Sequence, residues 1–245
     1  MHSDAITTGA ARDDFRRQPA ARRALLRGIL WLVGYMLLLA ACICFPTGFA
    51  WTRGWVFLAV YLLLVIVSFI FLWRVNPEIV VARSAYRQPA KWWDVIIFAI
   101  LFLSFILMFP LAALDDGSLH WSSVPLWVTI VGYLLFALGM AASTWVLSVN
   151  KFAEPTVRIQ SERHHKVIDT GPYAIVRHPL YATVPFLGVG IPLALGSYWA
   201  LIPAAIALIT LVIRTAAEDR LLHEQLDGYR EYAARVRYRL FPGVW

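Results

Sequence analysis

Long uncharged runs alternate with short charged stretches along this chain. Four of the runs cover residues 28–45, 54–73, 95–114 and 124–147, each close to the ~20 residues that cross ~30 Å of hydrocarbon as a helix. A fifth run, residues 179–213, predicts two tight spans that turn near Gly196. The pattern predicts an all-α integral membrane protein with about five to six transmembrane helices, including a proline-containing C-terminal hairpin.

The composition agrees with this class, because 60% of the residues are hydrophobic and only 15% are charged. Lysine and arginine concentrate before the first run, between the second and third, after the fourth, and after residue 213. The positive-inside rule therefore predicts that both termini and the polar segment 150–178 face the cytoplasm. The net charge of +7 is attributed to this topology and to anionic membrane lipids, and not to nucleic acid. The preference for arginine over lysine favours a bacterial source, and hence the inner (plasma) membrane.

The chain divides into a polar N-terminal tail (1–22), four transmembrane helices (23–149) and a C-terminal region (150–245). The tail is expected to be disordered or to lie on the membrane surface. Turns at Asn76-Pro77 and Gln88-Pro89 are expected to flank a short amphipathic stretch. Residues 156–160 alternate and are expected to be extended. After the hairpin, residues 214–227 predict an amphipathic helix capped by Gly228, and residues 229–236 a second short helix.

The polar stretch 160–181 carries the candidate chemistry and reads Q-S-E-R-H-H-K-V-I-D-T-G-P-Y-A-I-V-R-H-P-L-Y. We expect it to form one site together with Glu218 and Asp219. Arg177 is suited to a carboxylate or phosphate, and the two acids to ribose hydroxyls or an ammonium group. The exposed backbone of residues 167–173 is suited to the edge of an adenine. This combination points to a zwitterionic nucleoside such as S-adenosylmethionine.

Each of these residues also has an ordinary structural explanation. Arg177 could anchor the chain at lipid headgroups, and His178 could stabilise the turn into the hairpin. Tyr173 and Tyr181 could be interfacial aromatic residues, and Glu218 could pair with the arginine four residues before it. No histidine pair has the i,i+4 spacing of a helical metal site, so we predict no metal.

The order of the motifs favours the functional interpretation. Gly171-Pro172-Tyr173 is followed by Arg177-His178-Pro179-x-Tyr181, then by Glu218-Asp219-x-x-Leu222 and Gly228-Tyr229-x-x-Tyr232. Over residues 150–245 this order resembles the isoprenylcysteine carboxyl methyltransferase family, which is related to the phospholipid N-methyltransferases. The chain departs from the family at Thr183, where glycine is common, and at Asp219, where a second glutamate is usual.

The resemblance implies methyl transfer from S-adenosylmethionine within residues 150–245, under a cytoplasmic cap formed by the C-terminal helices. Catalytic roles are assigned to Arg177 and Glu218. Together with the argument from side-chain chemistry, the resemblance predicts the cofactor-binding residues Gln160, His165, Val167, Ile168, Gly171, Tyr173, Arg177, His178, Tyr181, Glu218 and Asp219.

The acceptor is expected to be small or lipophilic, and its identity is left open. A carboxylate acceptor, as the resemblance suggests, needs no general base, whereas a phospholipid amine or a thiol would need one, for which Glu218, His165 and His178 are candidates. A second possibility is an NADPH-dependent sterol-type membrane reductase, with Arg158 or Arg163 on the 2′-phosphate. A third is a small transporter or membrane assembly factor, although the first three spans are almost purely apolar.

Overall fold

The computed structural model describes residues 14–84 and 91–245, and within these ranges it contains helices and no strand. The prediction of an all-α membrane fold is confirmed. The helices, in chain order, are α1 (Pro19–Thr47), α2 (Thr52–Val75), α3 (Pro77–Ser84), α4 (Trp92–Leu114), α5 (Leu126–Val149), α6 (Pro179–Ala194), α7 (Leu201–Gln225) and α8 (Tyr229–Arg235).

Five of these helices, α1, α2, α4, α5 and α7, are long and apolar enough to cross a membrane. Large apolar side chains cover their outward faces, for example Leu37, Leu63 and Leu134. Continuous apolar surface of this extent is unfavourable in water and is the expected surface towards lipid. The protein is therefore a multi-pass membrane protein.

The C-terminal hairpin has arms of unequal length, which corrects the expectation of two similar spans. The turn at Gly196 is confirmed, and its φ of +77° suits glycine. The first arm, α6, is interrupted at Thr183 and is too short to count among the spanning helices. The second arm, α7, does not end at residue 213 but continues through Arg214 to Gln225 as one helix of 25 residues. The separate amphipathic helix expected over 214–227 is thus the end of α7.

Close backbone contact holds α6 against α5. A Cβ added to Gly190 would lie 2.6 Å from the backbone nitrogen of Phe136, and one added to Gly132 would lie 2.6 Å from the carbonyl carbon of Leu193. Buried aromatic rings of Phe57, Phe109 and Phe136 pack in the core beside this contact. Because both glycines are needed for the approach, the short arm of the hairpin is fixed to a full-length spanning helix.

Carboxylates fix the loops at the end of the bundle that lies away from segment 150–178. Residues Asp115–Leu119 form a π-helical turn at the end of α4. Asp115 is fully buried and accepts a hydrogen bond from the hydroxyl of Ser197 in the hairpin turn. Asp116 pairs with Arg53 at the start of α2. These contacts join three loops at one end of the bundle.

Some expectations concern segments that are short or lie outside the described residues. The N-terminal tail is described from residue 14, and α1 begins at Pro19. The turn at Asn76-Pro77 leads into α3, whereas the turn expected at Gln88-Pro89 lies outside the described residues. Residues 156–160 are neither strand nor helix.

Candidate functional site

A cavity of about 510 Å³ lies between segment 150–178 and helices α2, α4, α5, α6 and α7. This volume is in the range of small-molecule sites, roughly 300–1,000 Å³. Side chains of the spanning helices form one end of the cavity, and the polar segment forms the other. The cavity therefore has one apolar end and one polar end.

Apolar side chains from five helices line the end that reaches into the bundle, including Leu72, Phe98, Phe105, Met140, Leu147, Leu187 and Leu211. The hydroxyl groups at this end are already engaged with protein partners. Thr144 donates to Ser68 at 2.8 Å, and Ser143 is hydrogen-bonded to Thr183 at 2.7 Å. The residue Thr183, which departs from the family's usual glycine, thus occupies the cavity wall with its side chain.

The polar end offers unused backbone and carboxylate groups. Residues 166–168 line the cavity, and their backbone N–H and C=O groups form no hydrogen bond within the described part of the chain. One carboxylate oxygen of Glu218 accepts a hydrogen bond from the hydroxyl of Tyr181 at 2.5 Å. Its other carboxylate oxygen has no hydrogen-bond partner among the described residues. These groups are available to a ligand.

His165 lines the same end of the cavity as a neutral imidazole. Burial, together with Arg163 and Arg158, lowers the pKa of His165 to about 4. Its Nδ1 accepts the backbone N–H of Gln160 at 3.4 Å, and its ring packs against Phe152. With Nδ1 accepting, the proton of the neutral ring lies on Nε2, which can donate to a ligand.

Arg177 and Asp219 form the centre of a buried polar cluster. The Nε and Nη2 atoms of Arg177 donate to the two carboxylate oxygens of Asp219 at 2.9 and 3.1 Å. Its Nη1 donates to the backbone carbonyls of Val236 and Arg237. Four of the five N–H groups of this guanidinium are therefore used within the protein.

Asp219 accepts hydrogen bonds from three further side chains and is only 2% exposed. It accepts hydrogen bonds from Tyr229 at 2.8 Å, from Arg239 at 2.8 Å and from His178 at 3.1 Å. We call Arg177, His178, Asp219, Tyr229 and Arg239 the Asp219 cluster. Burial and the carboxylate of Asp219 raise the pKa of Tyr229, so its hydroxyl remains a donor.

Backbone pairing completes the connection between the start of α6 and the C-terminal segment. The N–H groups of Arg177 and His178 donate to the carbonyls of Tyr238 and Arg239, both at 2.9 Å. The hydroxyl of Tyr232 on α8 donates to the carbonyl of Tyr173 at 2.7 Å. Residues that are distant in sequence thus hold segment 171–178 in place at the cavity.

The structure brings most of the sequence-predicted site residues to this cavity. The predicted residues that line it are His165, Val167, Ile168, Tyr173, Arg177, His178, Tyr181 and Glu218. Three others, Gln160, Gly171 and Asp219, are not among the lining residues. Gln160 instead donates to the carbonyl of Phe152 at 2.6 Å, and Gly171 forms a turn with a φ of +58°. The ligand contacts assigned to these residues stay predictions.

A second buried ion pair borders the cavity and was not predicted from the sequence. Asp94 is fully buried at the start of α4. Its carboxylate accepts hydrogen bonds from Arg214 Nε at 3.0 Å and from the backbone N–H of Val157 at 2.9 Å. Arg214 also donates to the carbonyl of Pro155 at 2.6 Å and lies 5.5 Å from the ring centre of Tyr181. The sequence does show that Asp94 and Arg214 each directly border an apolar run, but it does not predict that the two side chains form an ion pair.

Metal ligation finds no support in the described ranges. Among residues 14–84 and 91–245, no group of three or more histidine, cysteine, aspartate or glutamate side chains is placed to hold an ion.

Part of this chain is similar in sequence to known proteins. Residues 127–227 match the family model for phospholipid methyltransferases. The cobalt-zinc-cadmium resistance protein CzcN of Cupriavidus metallidurans is 31% identical over 134 residues, which are 54% of this chain and 58% of that protein. Protein-S-isoprenylcysteine O-methyltransferase B of Arabidopsis thaliana is 31% identical over 125 residues, 48% of this chain and 58% of that protein. The chain thus spans 58% of the length of each of these two curated relatives.

Proposed function

We propose that this membrane protein, whose residues 127–227 match the phospholipid methyltransferase family and which is 31% identical over 125 residues to an isoprenylcysteine O-methyltransferase, transfers a methyl group from S-adenosylmethionine to a lipophilic acceptor. The expected resemblance to these methyltransferases is found over part of the chain, and the activity of this chain is our proposal. The single observation that carries it is the cavity that joins free polar groups at one end to apolar helix faces at the other.

The polar end fits the groups of S-adenosylmethionine. The free backbone of residues 166–168 suits an adenine edge, and the unused oxygen of Glu218 suits the ammonium or a ribose hydroxyl. His165 adds one neutral donor. When bound, the cofactor supplies a methyl group already activated on a sulfonium. The protein then has to align the acceptor with this methyl group and exclude water.

The geometry suggests a division of labour between the two residues assigned to catalysis. Glu218 faces the cavity and has a free oxygen. Arg177 has one N–H left for a ligand, because Asp219 and two backbone carbonyls use the other four. We infer that Arg177 mainly holds segment 171–178 in shape through Asp219, and that Glu218 binds the cofactor directly.

The apolar end of the cavity suits an acceptor with a hydrocarbon chain. A carboxylate on such an acceptor needs no general base. An amine or thiol would have to lose a proton, for which Glu218 and the neutral ring of His165 are the candidates in the cavity. We propose that the polar end faces the cytoplasm of a bacterial cell, as the distribution of lysine and arginine predicts.

The reductase alternative has no comparable support. The two guanidinium groups considered for a 2′-phosphate, those of Arg158 and Arg163, both form ion pairs with Glu154. Binding the phosphate would require these pairs to break or to be shared. We therefore keep a single proposed function.

The test is calorimetric binding of S-adenosylhomocysteine to the protein purified in detergent. Micromolar binding is expected for the wild type, with a loss of about tenfold or more in Glu218→Gln. Glu224→Gln, an exposed change on the same helix, is the matched control and should bind as the wild type does. A folded wild type that binds NADPH and no S-adenosylhomocysteine would overturn the proposal.

A further inference from the structure

Arg83, the penultimate residue of α3, lies on the cavity wall outside the region matched by the family model. Its Nη1 donates to the carbonyl of Ala153 at 2.8 Å. It forms no ion pair with any described residue. The other guanidinium groups on the wall are each paired with a carboxylate: Arg158 with Glu154, Arg177 with Asp219 and Arg214 with Asp94.

Arg83 lies between the two ends of the cavity, because its Nη1 contacts Ala153 on segment 150–178 while its helix packs against the apolar end. On the preceding turns of α3, Ile79 and Val80 pack in one cluster with Leu72, and Leu147 packs against that cluster. Both leucines line the apolar end. The groups assigned to the cofactor come from segment 150–178, from the start of α6 and from α7. Lys166, the other lining cation without an ion pair among the described residues, lies on that segment.

The geometry leaves the binding edge of this guanidinium open. The Nε and Nη2 atoms of Arg83 make no hydrogen bond to any described residue, and its side chain is exposed. These two atoms are the pair that Arg177 uses to bind a carboxylate side-on. A guanidinium with this edge open can hold a carboxylate or a phosphate through two parallel hydrogen bonds.

We propose that Arg83 binds an oxyanion, either a carboxylate or a phosphate, on the lipophilic acceptor. It would thereby select acceptors that combine an acidic group with a hydrocarbon chain. This inference rests on the proposed function and deepens it, because it restricts the acceptor class and assigns a specificity residue on α3.

The test compares three amphiphiles of the same chain length: dodecanoate, dodecyl phosphate and dodecanol. Their binding is measured by calorimetry in a nonionic detergent with saturating S-adenosylhomocysteine, for the wild type, Arg83→Ala, Arg83→Lys and Arg74→Ala. Arg74 is exposed and lies off the cavity wall, so its variant makes the same charge change without touching the site. The affinity for S-adenosylhomocysteine alone is measured for all four proteins.

We expect the wild type and Arg74→Ala to prefer at least one anionic amphiphile over the alcohol by about tenfold. Arg83→Ala should lose that preference, and Arg83→Lys should keep part of it, with the affinity for S-adenosylhomocysteine unchanged. A stronger preference for the phosphate, or for the carboxylate, would identify which oxyanion is recognised.

Equal binding of the alcohol and both anions by the wild type would overturn the proposal. So would a preference that survives in Arg83→Ala, or a loss of S-adenosylhomocysteine binding in that variant, which would place Arg83 at the cofactor. Failure of the methyltransferase function itself is seen separately, as an absence of S-adenosylhomocysteine binding by the wild type.

Discussion

Glu218 and Asp219 are neighbours in the sequence, yet replacing each carboxylate by its amide should have different consequences. Asp219 is 2% exposed and compensates the charges of Arg177 and Arg239. Removing one partner of a buried ion pair costs about 3–5 kcal/mol. For a chain of this size such a loss corresponds to a drop on the order of 10 °C in the midpoint of thermal unfolding. Asp219→Asn should therefore be clearly destabilised.

Glu218→Gln should show the opposite profile. Glu218 accepts one hydrogen bond, from Tyr181, which an amide oxygen can also accept. The expected loss of stability is at most about 1 kcal/mol, while the affinity for S-adenosylhomocysteine falls by about tenfold or more.

Thermal unfolding in one detergent, followed by calorimetric binding well below the midpoint, separates these two effects. Asp227→Asn, an exposed change just after α7, should alter neither quantity. The reasoning is refuted if Asp219→Asn keeps the wild-type midpoint and loses ligand binding. It is also refuted if Glu218→Gln shows the larger drop in midpoint.

Two further predictions concern the pH dependence and the helix contact. The pKa of His165 in the folded protein is about 4, which lies below its value in the unfolded chain, so the folded state binds fewer protons between about pH 6.5 and 4. The stability of the protein should therefore fall as the pH is lowered through this window. Thermal midpoints measured from pH 7 to 4 should show this fall, and His165→Gln should remove the part of it that His165 causes. Gly190→Ala should destabilise the protein by about 1–3 kcal/mol in thermal or denaturant unfolding, because the new methyl group meets the backbone of Phe136. The control is Gly34→Ala on α1, where an added Cβ meets nothing within 4 Å. This variant should be as stable as the wild type or slightly more stable.

Hydropathy located the spanning helices because the requirement to cross hydrocarbon is a local property of the sequence. The turn at Gly196 was predictable for the same reason. The pairing of Arg214 on α7 with Asp94 was not, because the two residues lie 120 positions apart in the sequence. The engagement of Arg177 by Asp219 was likewise hidden. A guanidinium on a polar segment looks the same in sequence whether its partner is a ligand or a carboxylate of the same chain.

The position of Arg83 on the cavity wall could not be predicted from the sequence for the same reason. Nothing near it in the sequence distinguishes it from an arginine that anchors α3 at the membrane surface, and the family match begins only at residue 127. Its place on the cavity wall follows from the packing of α3 against α2 and α5. Motif order therefore indicated the proposed cofactor end of the site, while the proposed acceptor end depends on tertiary contacts.

The ion pair between Asp94 and Arg214 also has a consequence for how the chain enters the bilayer. Each residue borders a hydrophobic run, and an unpaired charge drawn towards the centre of the hydrocarbon costs about 2.5–3.5 kcal/mol on translocon-insertion scales. α4 is synthesised long before α7, so its carboxylate is already present when the guanidinium of α7 leaves the ribosome. Docking of α7 beside α4 would then set the depth at which α7 comes to rest. An Asp94→Leu chain is expected to place α7 at a different depth during biogenesis, even where hydropathy alone would insert it correctly.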